Sequence, residues 1–340
     1  MRNTRGVTLV ELMIAIAIMG IISAGMATMF TSIQRNYSIE DARIGIKSGA
    51  QTAINKIALN LTSTKRLFQN TGADNAFLAI VSLNPALMAN SVLPAINDGA
   101  SMTPSSGTFV ASAVGNSLFF ASLDTGPYIN PTPIADSAAA LYTIRVDSYH
   151  FNYYYLAQNA KPIVGGGGQI MLQEWHSISI VDYPQITAWT DATLKTNLAT
   201  AMYNSGYRYA WDSSQNAAAS AFYSISSVGA LTAVGSVPVL AQSGDSRMAP
   251  AAMIKPLTGI LGAGYRYGVS PNTSGSFSIP YTVPEFGVAS GKFPSGFEVV
   301  VVGSSSAREI LLRLVVVAQG AFKGNIASQQ VTVATARDIH

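Results

Sequence analysis

The 340-residue sequence contains no cysteine. That absence excludes a disulfide framework and any thiolate metal site. Charge is scarce as well. Asp, Glu, Lys and Arg make up 11% of the residues, against roughly 25% in an ordinary soluble domain. The formal net charge of +3 is too small for a general nucleic-acid binder. Histidine occurs three times and no Gly-x-Ser-x-Gly is found, so a catalytic triad has little to draw on. Proline is missing until Pro85, which leaves the N-terminal quarter free of the strongest helix breaker. What the chain has instead is apolar mass: 49% hydrophobic residues and a mean hydropathy of +0.28, which exclude a disordered chain. The length allows one large domain or two smaller ones.

The apolar mass is concentrated at the start. Arg2 and Arg5 precede an uncharged run from Leu12 to Ile33, 22 residues long, and about 20 suffice to cross a bilayer as a helix. A removed signal peptide would end in a small-residue cleavage site and a polar mature start. Here the run continues into a helical pattern, which favours an anchor, with residues 1–6 on the cytoplasmic side and a large domain beyond. Residues 1–33 hold only Arg2, Arg5 and Glu11, and the rest of the chain is still about 11% charged. The low charge therefore belongs to the whole molecule. Glu11 does not suit a plain anchor, because a carboxylate in an apolar span costs about 2.5–3.5 kcal/mol on insertion scales.

Arg5-Gly6-Val7-Thr8-Leu9-Val10-Glu11-Leu12 resembles the N-terminal signal of type IV prepilins and type II secretion pseudopilins. The resemblance covers residues 5–35 closely and the following helix loosely. It implies a cut by prepilin peptidase between Gly6 and Val7, N-methylation of Val7, and a positively charged leader carrying Arg2 and Arg5. It also implies that Glu11 meets the new amine of a neighbouring subunit as helices bundle into a filament, so that two charges costly in lipid neutralise one another. Two departures stand out: Val7 occupies the first mature position where Phe is usual, and Thr28 stands where many major pilins have proline. Gly20, Ser23, Gly25 and Thr28 either loosen the helix or serve close approach.

Beyond the span, Ile39, Ala42, Ile46, Ala50, Ala53, Ile57, Leu61 and Phe68 recur at steps of three, four and seven, one stripe on a helix. The spacing predicts a stem from about Thr8 to Gln69, roughly 62 residues and about 93 Å long, ending at Asn70-Thr-Gly-Ala-Asp. Its stripe is too small for a zipper. Arg35, Arg43, Lys47, Lys56, Lys65 and Arg66 make the outer stem basic, as a solvated face or one that meets headgroups or acidic neighbours. Ala50–Leu67 (AQTAINKIALNLTSTKRL) is similar to the helix of large minor pilins and J-type pseudopilins.

From residue 71 the period becomes two. Candidate strands are Thr108–Ala113, Ser117–Leu123, Leu141–Leu156, Gln169–Val181, Phe277–Val283, Phe297–Val302, Ile310–Ala318 and Gln330–Ala334. A hairpin is read at Gly-Ser-Ser-Ser-Ala-Arg, and one helix at Asp191–Tyr203 with Thr190 as its N-cap. Loops are expected at Asn90–Gly107, Asp124–Asp136, Val164–Gly168 and Gln242–Gly275. His150, Glu174 and His176 lie in predicted strands; Glu174 and His176 share a face, but nothing in the sequence pairs their strand with that of His150, so no metal site is assigned. Tyr149, Phe151, Tyr153 and Tyr155 share one strand face, as core or a surface toward the stem, with an adhesive or base-stacking surface as the alternative. Gly165–Gly168 lacks Lys-Ser/Thr and is no P-loop.

The expected fold is α+β: a long N-terminal helix, half transmembrane and half amphipathic, packed on a large β-rich head. Its segments are a leader (1–6), a transmembrane or filament-core helix (7–34), an amphipathic continuation (35–70) and the head (71–340), with an insertion at 160–275. The expected role is a structural subunit, a minor pilin or pseudopilin, in the inner membrane with an extracytoplasmic head. The alternative is a tip module binding a surface or DNA. The expected partners are prepilin peptidase and other subunits, with no small-molecule substrate, cofactor or catalytic set.

Overall fold

In the computed structural model the described residues are 8–81, 92–98, 114–162, 168–215, 221–234, 255–256, 265–269, 297–320 and 325–337. The first element is α1 (Leu9–Leu61), 53 residues or about 80 Å at 1.5 Å per residue. The chain then forms β1 (Thr64–Leu67), α2 (Gly72–Val81), β2 (Ile96–Asn97) and β3 (Leu118–Leu123). Four two-residue strands follow: β4 (Tyr128–Ile129), β5 (Ile134–Ala135), β6 (Leu141–Tyr142) and β7 (Arg145–Val146). Next come β8 (Ser148–Pro162), β9 (Gly168–His176), β10 (Ile180–Asp182), α3 (Tyr183–Thr187), α4 (Ala192–Asn204), β11 (Tyr209–Trp211), β12 (Phe222–Ile225) and β13 (Leu231–Ala233). The last strands are β14 (Lys255–Pro256), β15 (Tyr265–Val269), β16 (Phe297–Val302), β17 (Arg308–Gly320) and β18 (Asn325–Ala336). The α+β class and the stem-plus-head plan are as the sequence predicts.

The stem ends eight residues earlier than its stripe suggests. After Leu61 come three hydroxyl residues, and two of them turn back onto the last helical turn. Thr62 Oγ1 donates to Leu59 O at 2.6 Å and Ser63 Oγ to Asn60 O at 3.2 Å. Such local bonds compete with helix continuation, and Thr64–Leu67 pairs with β3 instead. Phe68 is buried, as the stripe requires, but in the head and not on the stem. The segment after Asn70, read as a stop, opens α2.

Two sheets surround the docked part of the stem. The larger runs β1-β3-β8-β10-β11-β12-β13, with β9 on β8 and β14 on β9; the β10–β11 pair alone is parallel. The smaller runs β15-β17-β16-β2, with β18 along β17 for its whole length. Gly115 joins them by exchanging two backbone bonds of 2.9 Å with Val299. A Cβ on Gly115 would lie 2.5 Å from Pro94 N, so only glycine permits this approach. The predicted hairpin is β16–β17, and Gly303 turns it at φ +93°.

Three cores result. Ile46, Ala50, Ala53, Ile54, Ile57 and Leu61 of the stem meet Leu118, Phe120, Tyr154 and Leu172 of the larger sheet and Phe297, Val299, Ile310, Leu312 and Ala334 of the smaller. The opposite face of the larger sheet holds an aromatic core of Phe68, Phe77, Phe119, Tyr149, Phe151, Tyr153, Tyr155, Trp175, Trp211 and Phe222. A third core lies under α3 and α4, where Leu194, Leu198 and Met202 meet Val146, Val181 and Ala210. Alternation explains the division, since Tyr154 of β8 faces the stem whereas Tyr149, Phe151, Tyr153 and Tyr155 face away.

Local chemistry accounts for the other departures. Asp191, not Thr190, caps α4, accepting Leu194 N–H at 2.7 Å. The predicted strand Leu141–Leu156 is three strands. Asn130 interrupts it, donating to Tyr142 O and accepting Ile144 N–H. Gln169–Val181 breaks after His176, where Ser177 Oγ accepts Phe151 N–H at 2.9 Å. Four expected loops are only partly loops: β4 and β5 lie in Asp124–Asp136, β14 and β15 in Gln242–Gly275, β2 in Asn90–Gly107, and Gly168 opens β9. Thr108–Ala113 and Phe277–Val283 lie outside the described residues.

Candidate functional site

The stem has two environments. Every large apolar side chain from Leu9 to Ile33 is exposed, from 37% at Ile33 to 75% at Leu9. From Ser38 onward one face is covered, and Ala42, Ile46, Ala50, Ala53, Ile54, Ile57 and Leu61 are buried. This helix is long and apolar enough to cross a membrane. A Cβ on Gly20 or Gly25 would meet no atom within 4 Å. Thr28 and Thr31 each turn their hydroxyl onto backbone carbonyls three and four residues back, at 2.8–3.1 Å, bonds that bend helices slightly.

At the exposed end, Glu11 does not stand unpaired. Thr8 is the N-cap, and its amide and hydroxyl each donate to Glu11 Oε2 at 2.9 Å. Glu11 N–H returns a bond of 3.3 Å to Thr8 Oγ1. This is a capping box, which satisfies helix-start donors reciprocally. The carboxylate also sits where the helix dipole is positive. Sequence reasoning missed it, although Thr-x-x-Glu before an apolar run is its signature. Gly6, Val7, Arg2 and Arg5 lie outside the described residues.

At the docked end one polar node interrupts the apolar contact. Glu174 on β9 is fully buried. Lys56 Nζ of the stem donates to its Oε2, and Tyr154 OH donates to its Oε1 at 2.8 Å. His176 Nε2 lies 2.8 Å from Oε1. Asn60 of the stem donates to Tyr154 OH at 2.7 Å. Burial pushes the Glu174 carboxyl up, but the bonds from His176, Lys56 and Tyr154 outweigh it and hold the group at about 2. Lys56, placed on a solvated face by the sequence pattern, is 41% exposed and reaches inward. Arg66 is buried too, donating to Gln215 O at 2.6 Å. Four large apolar stem residues, each contributing about 1.5–3 kcal/mol when buried, hold the stem. The node adds orientation more than grip.

The remaining candidates resolve into structure. Glu174 and His176 pair with each other, whereas His150 Nε2 lies 2.5 Å from Asp124 Oδ1. Among the described residues no group of three or more His, Asp or Glu is arranged to hold a metal. Ser179 and Ser148 also bond Asp124, at 2.7 and 3.3 Å. Those hydroxyls face the carboxylate and not the imidazole, so the trio activates no nucleophile. The β8 aromatic stripe is core, and it faces away from the stem. Asp182, at the end of β10, is buried with Oδ1 unpartnered. Burial raises its carboxyl to about 6; Lys65 opposes this, and Asp147 and Asp212 reinforce it.

Residues 1–27 match the model of the prokaryotic N-terminal methylation motif. Neither the curated proteins nor the solved structures contain a match to the chain.

Proposed function

We propose, from the match of residues 1–27 to the prokaryotic N-terminal methylation motif, that the chain is a type IV prepilin-like protein, a minor pilin or pseudopilin, cut after Gly6 and built into a filament through its stem. The motif brings association with other pilin subunits and with a prepilin peptidase, and its family is structural. The leader with Arg2 and Arg5 stays on the cytoplasmic face of the inner membrane. Residues 7–34 lie first in the bilayer and then among neighbouring stems, residues 35–61 carry the head, and the head stays extracytoplasmic. The new amine on Val7 meets Glu11 of a neighbour.

The observation that carries this reading is the unequal stem. A helix that leaves fourteen large apolar side chains uncovered from Leu9 to Ile33 needs lipid or other helices around that half. Its second half is already occupied by the head. The rival reading, a tip module for a surface or DNA, loses the β8 aromatic stripe as its binding surface, because those rings are buried. Cells lacking prepilin peptidase should accumulate a precursor six residues longer, and in wild-type cells the mature chain should begin at Val7. A band of unchanged size would remove the processing step from this account.

A further inference from the structure

We infer that Asp182 is a proton-operated latch: its neutral carboxyl lets the α3–α4 lobe close on the larger sheet, and its ionisation loosens that lobe. The chain leaves the sheet at Asp182, the last residue of β10, and returns at Tyr209, the first of β11. The two strands are parallel neighbours, with Asp182 beside Trp211. Residues 183–208 therefore form an excursion whose two ends lie side by side, and it can swing out without breaking a strand pair. What closes it is apolar: Ile186 of α3 and Leu194, Leu198 and Met202 of α4 pack on Val146, Val181 and Ala210.

Three aspartates stand at this hinge, and the charges of Asp147 and Asp212 both reach Asp182. Two of the three have partners on both oxygens. Asp147 accepts from Arg145 Nη2 at 3.5 Å and from Gln185 Nε2 at 2.9 Å. Asp212 accepts from Ser214 Oγ at 2.6 Å and from Gln215 Nε2 at 2.8 Å. Asp182 alone of the three is buried with a bare oxygen, Oδ1, and at the N-cap position of α3 its side chain makes no cap bond. A charge is costliest there, so a proton entering the trio belongs on Asp182. Lys65 of β1 opposes this, Tyr149 of β8 feels the Asp182 charge, and Tyr183 of α3 feels that of Asp212. The lobe is tied to the same point: Gln185 of α3 accepts Asp147 N–H at 2.8 Å, and Asp182 N–H donates to Asp147 O at 2.9 Å. Ionised Asp182 repels the carboxylate that these bonds hold, and opening gives it water. Burial lifts its carboxyl from 3.8 to about 6, so the lobe is tightest below pH 3.8 and loosens as pH rises to 6.

The test is amide hydrogen exchange of the detergent-solubilised full chain, with each variant compared with wild type at the same pH. At pH 7, α4 should exchange faster than the docked stem from Ala50 to Leu61, the mark of a local opening. Asp182→Asn should slow α4 about a hundredfold at pH 7, the factor that a rise from 3.8 to about 6 implies. At pH 4 it should match wild type within about threefold. Lys65→Met leaves Asp182 in place and removes the opposing cation, so α4 should exchange faster at pH 7 and unchanged at pH 4; this variant carries the test if Asp182→Asn does not fold. One common rate for α4 and the stem would mean that the head opens only as a whole and would overturn the latch. Unchanged α4 exchange at pH 7 in the variants that fold would overturn it as well.

Discussion

The two halves of α1 are one continuous helix with opposite relations to the rest of the molecule. From Ser38 to Leu61 a stripe of alanine, isoleucine and leucine is covered by two sheets, and a buried carboxylate on β9 receives Lys56. From Leu9 to Ile33 the apolar residues surround the whole helix and, among the described residues, stay exposed. The difference shows that hydrophobicity alone does not decide what a helix packs against. A stripe with polar flanks fits a single sheet-lined face, whereas an all-round apolar surface fits only lipid or several other helices. The polar contacts follow the same division. Glu174 is satisfied across the chain by the stem, and Glu11 is satisfied by its own first turn.

The same kind of truncation in each half of the stem should have unequal effects. Ile54→Ala should lower the stability of the detergent-solubilised protein by about 3 kcal/mol. Ile18→Ala, in the exposed half, should leave the head's thermal unfolding within about 0.5 kcal/mol. Equal effects would mean that the head depends on both halves.

The polar node should give an asymmetric result. Lys56→Met leaves the buried Glu174 carboxylate with Tyr154 and His176 alone and should cost about 2 kcal/mol. Glu174→Gln leaves a half-exposed ammonium free to reach water and should cost less. Denaturant midpoints of the two variants decide the order.

Two of the buried carboxylates, Glu174 and Asp182, should respond to pH with opposite sign. Glu174 is held low, so its contribution is complete above about pH 4.5 and is lost as pH falls toward 2. Asp182 is held high, at about 6 against an ordinary 3.8. Its folded form keeps the proton, so stability from this group is complete below pH 3.8 and is lost as pH rises to 6. Asp182→Asn should therefore stabilise the protein at pH 7 by about 1–3 kcal/mol and flatten the profile between pH 4 and 6. A variant with an unchanged profile would remove Asp182 as its source.

The smallest effect belongs to Gly20→Ala. It meets no neighbour and should strengthen the exposed helix by about 0.5–1 kcal/mol without moving the head's unfolding midpoint.

Much of this was legible in residue spacing. The stripe from Ala42 to Leu61, the β16–β17 hairpin and the period-two strands depend on local pattern, and local pattern survives folding. The helix end at Leu61 was not legible from the stripe, because Phe68 continues the spacing by chance while Thr62 and Ser63 turn onto the backbone. The Lys56–Glu174 pair spans 118 positions and leaves no sequence trace. The division of β8 into a stem face and an aromatic face was half legible. Alternation gives the two faces, but only the register with β3 and β9 says which one the stem covers. At the exposed end, the Thr8–Glu11 box was written in the sequence and was hidden by the expectation of a cationic partner.

On the proposed reading, the exposed half of the stem is completed by other subunits through Glu11. The most direct measurement is the distribution of Glu11→Ala between membrane and sheared filaments, beside Ile54→Ala. Glu11→Ala should insert, be cleaved and melt as wild type does, yet be absent from filaments. If Glu11→Ala enters filaments at the wild-type level, the claim is wrong.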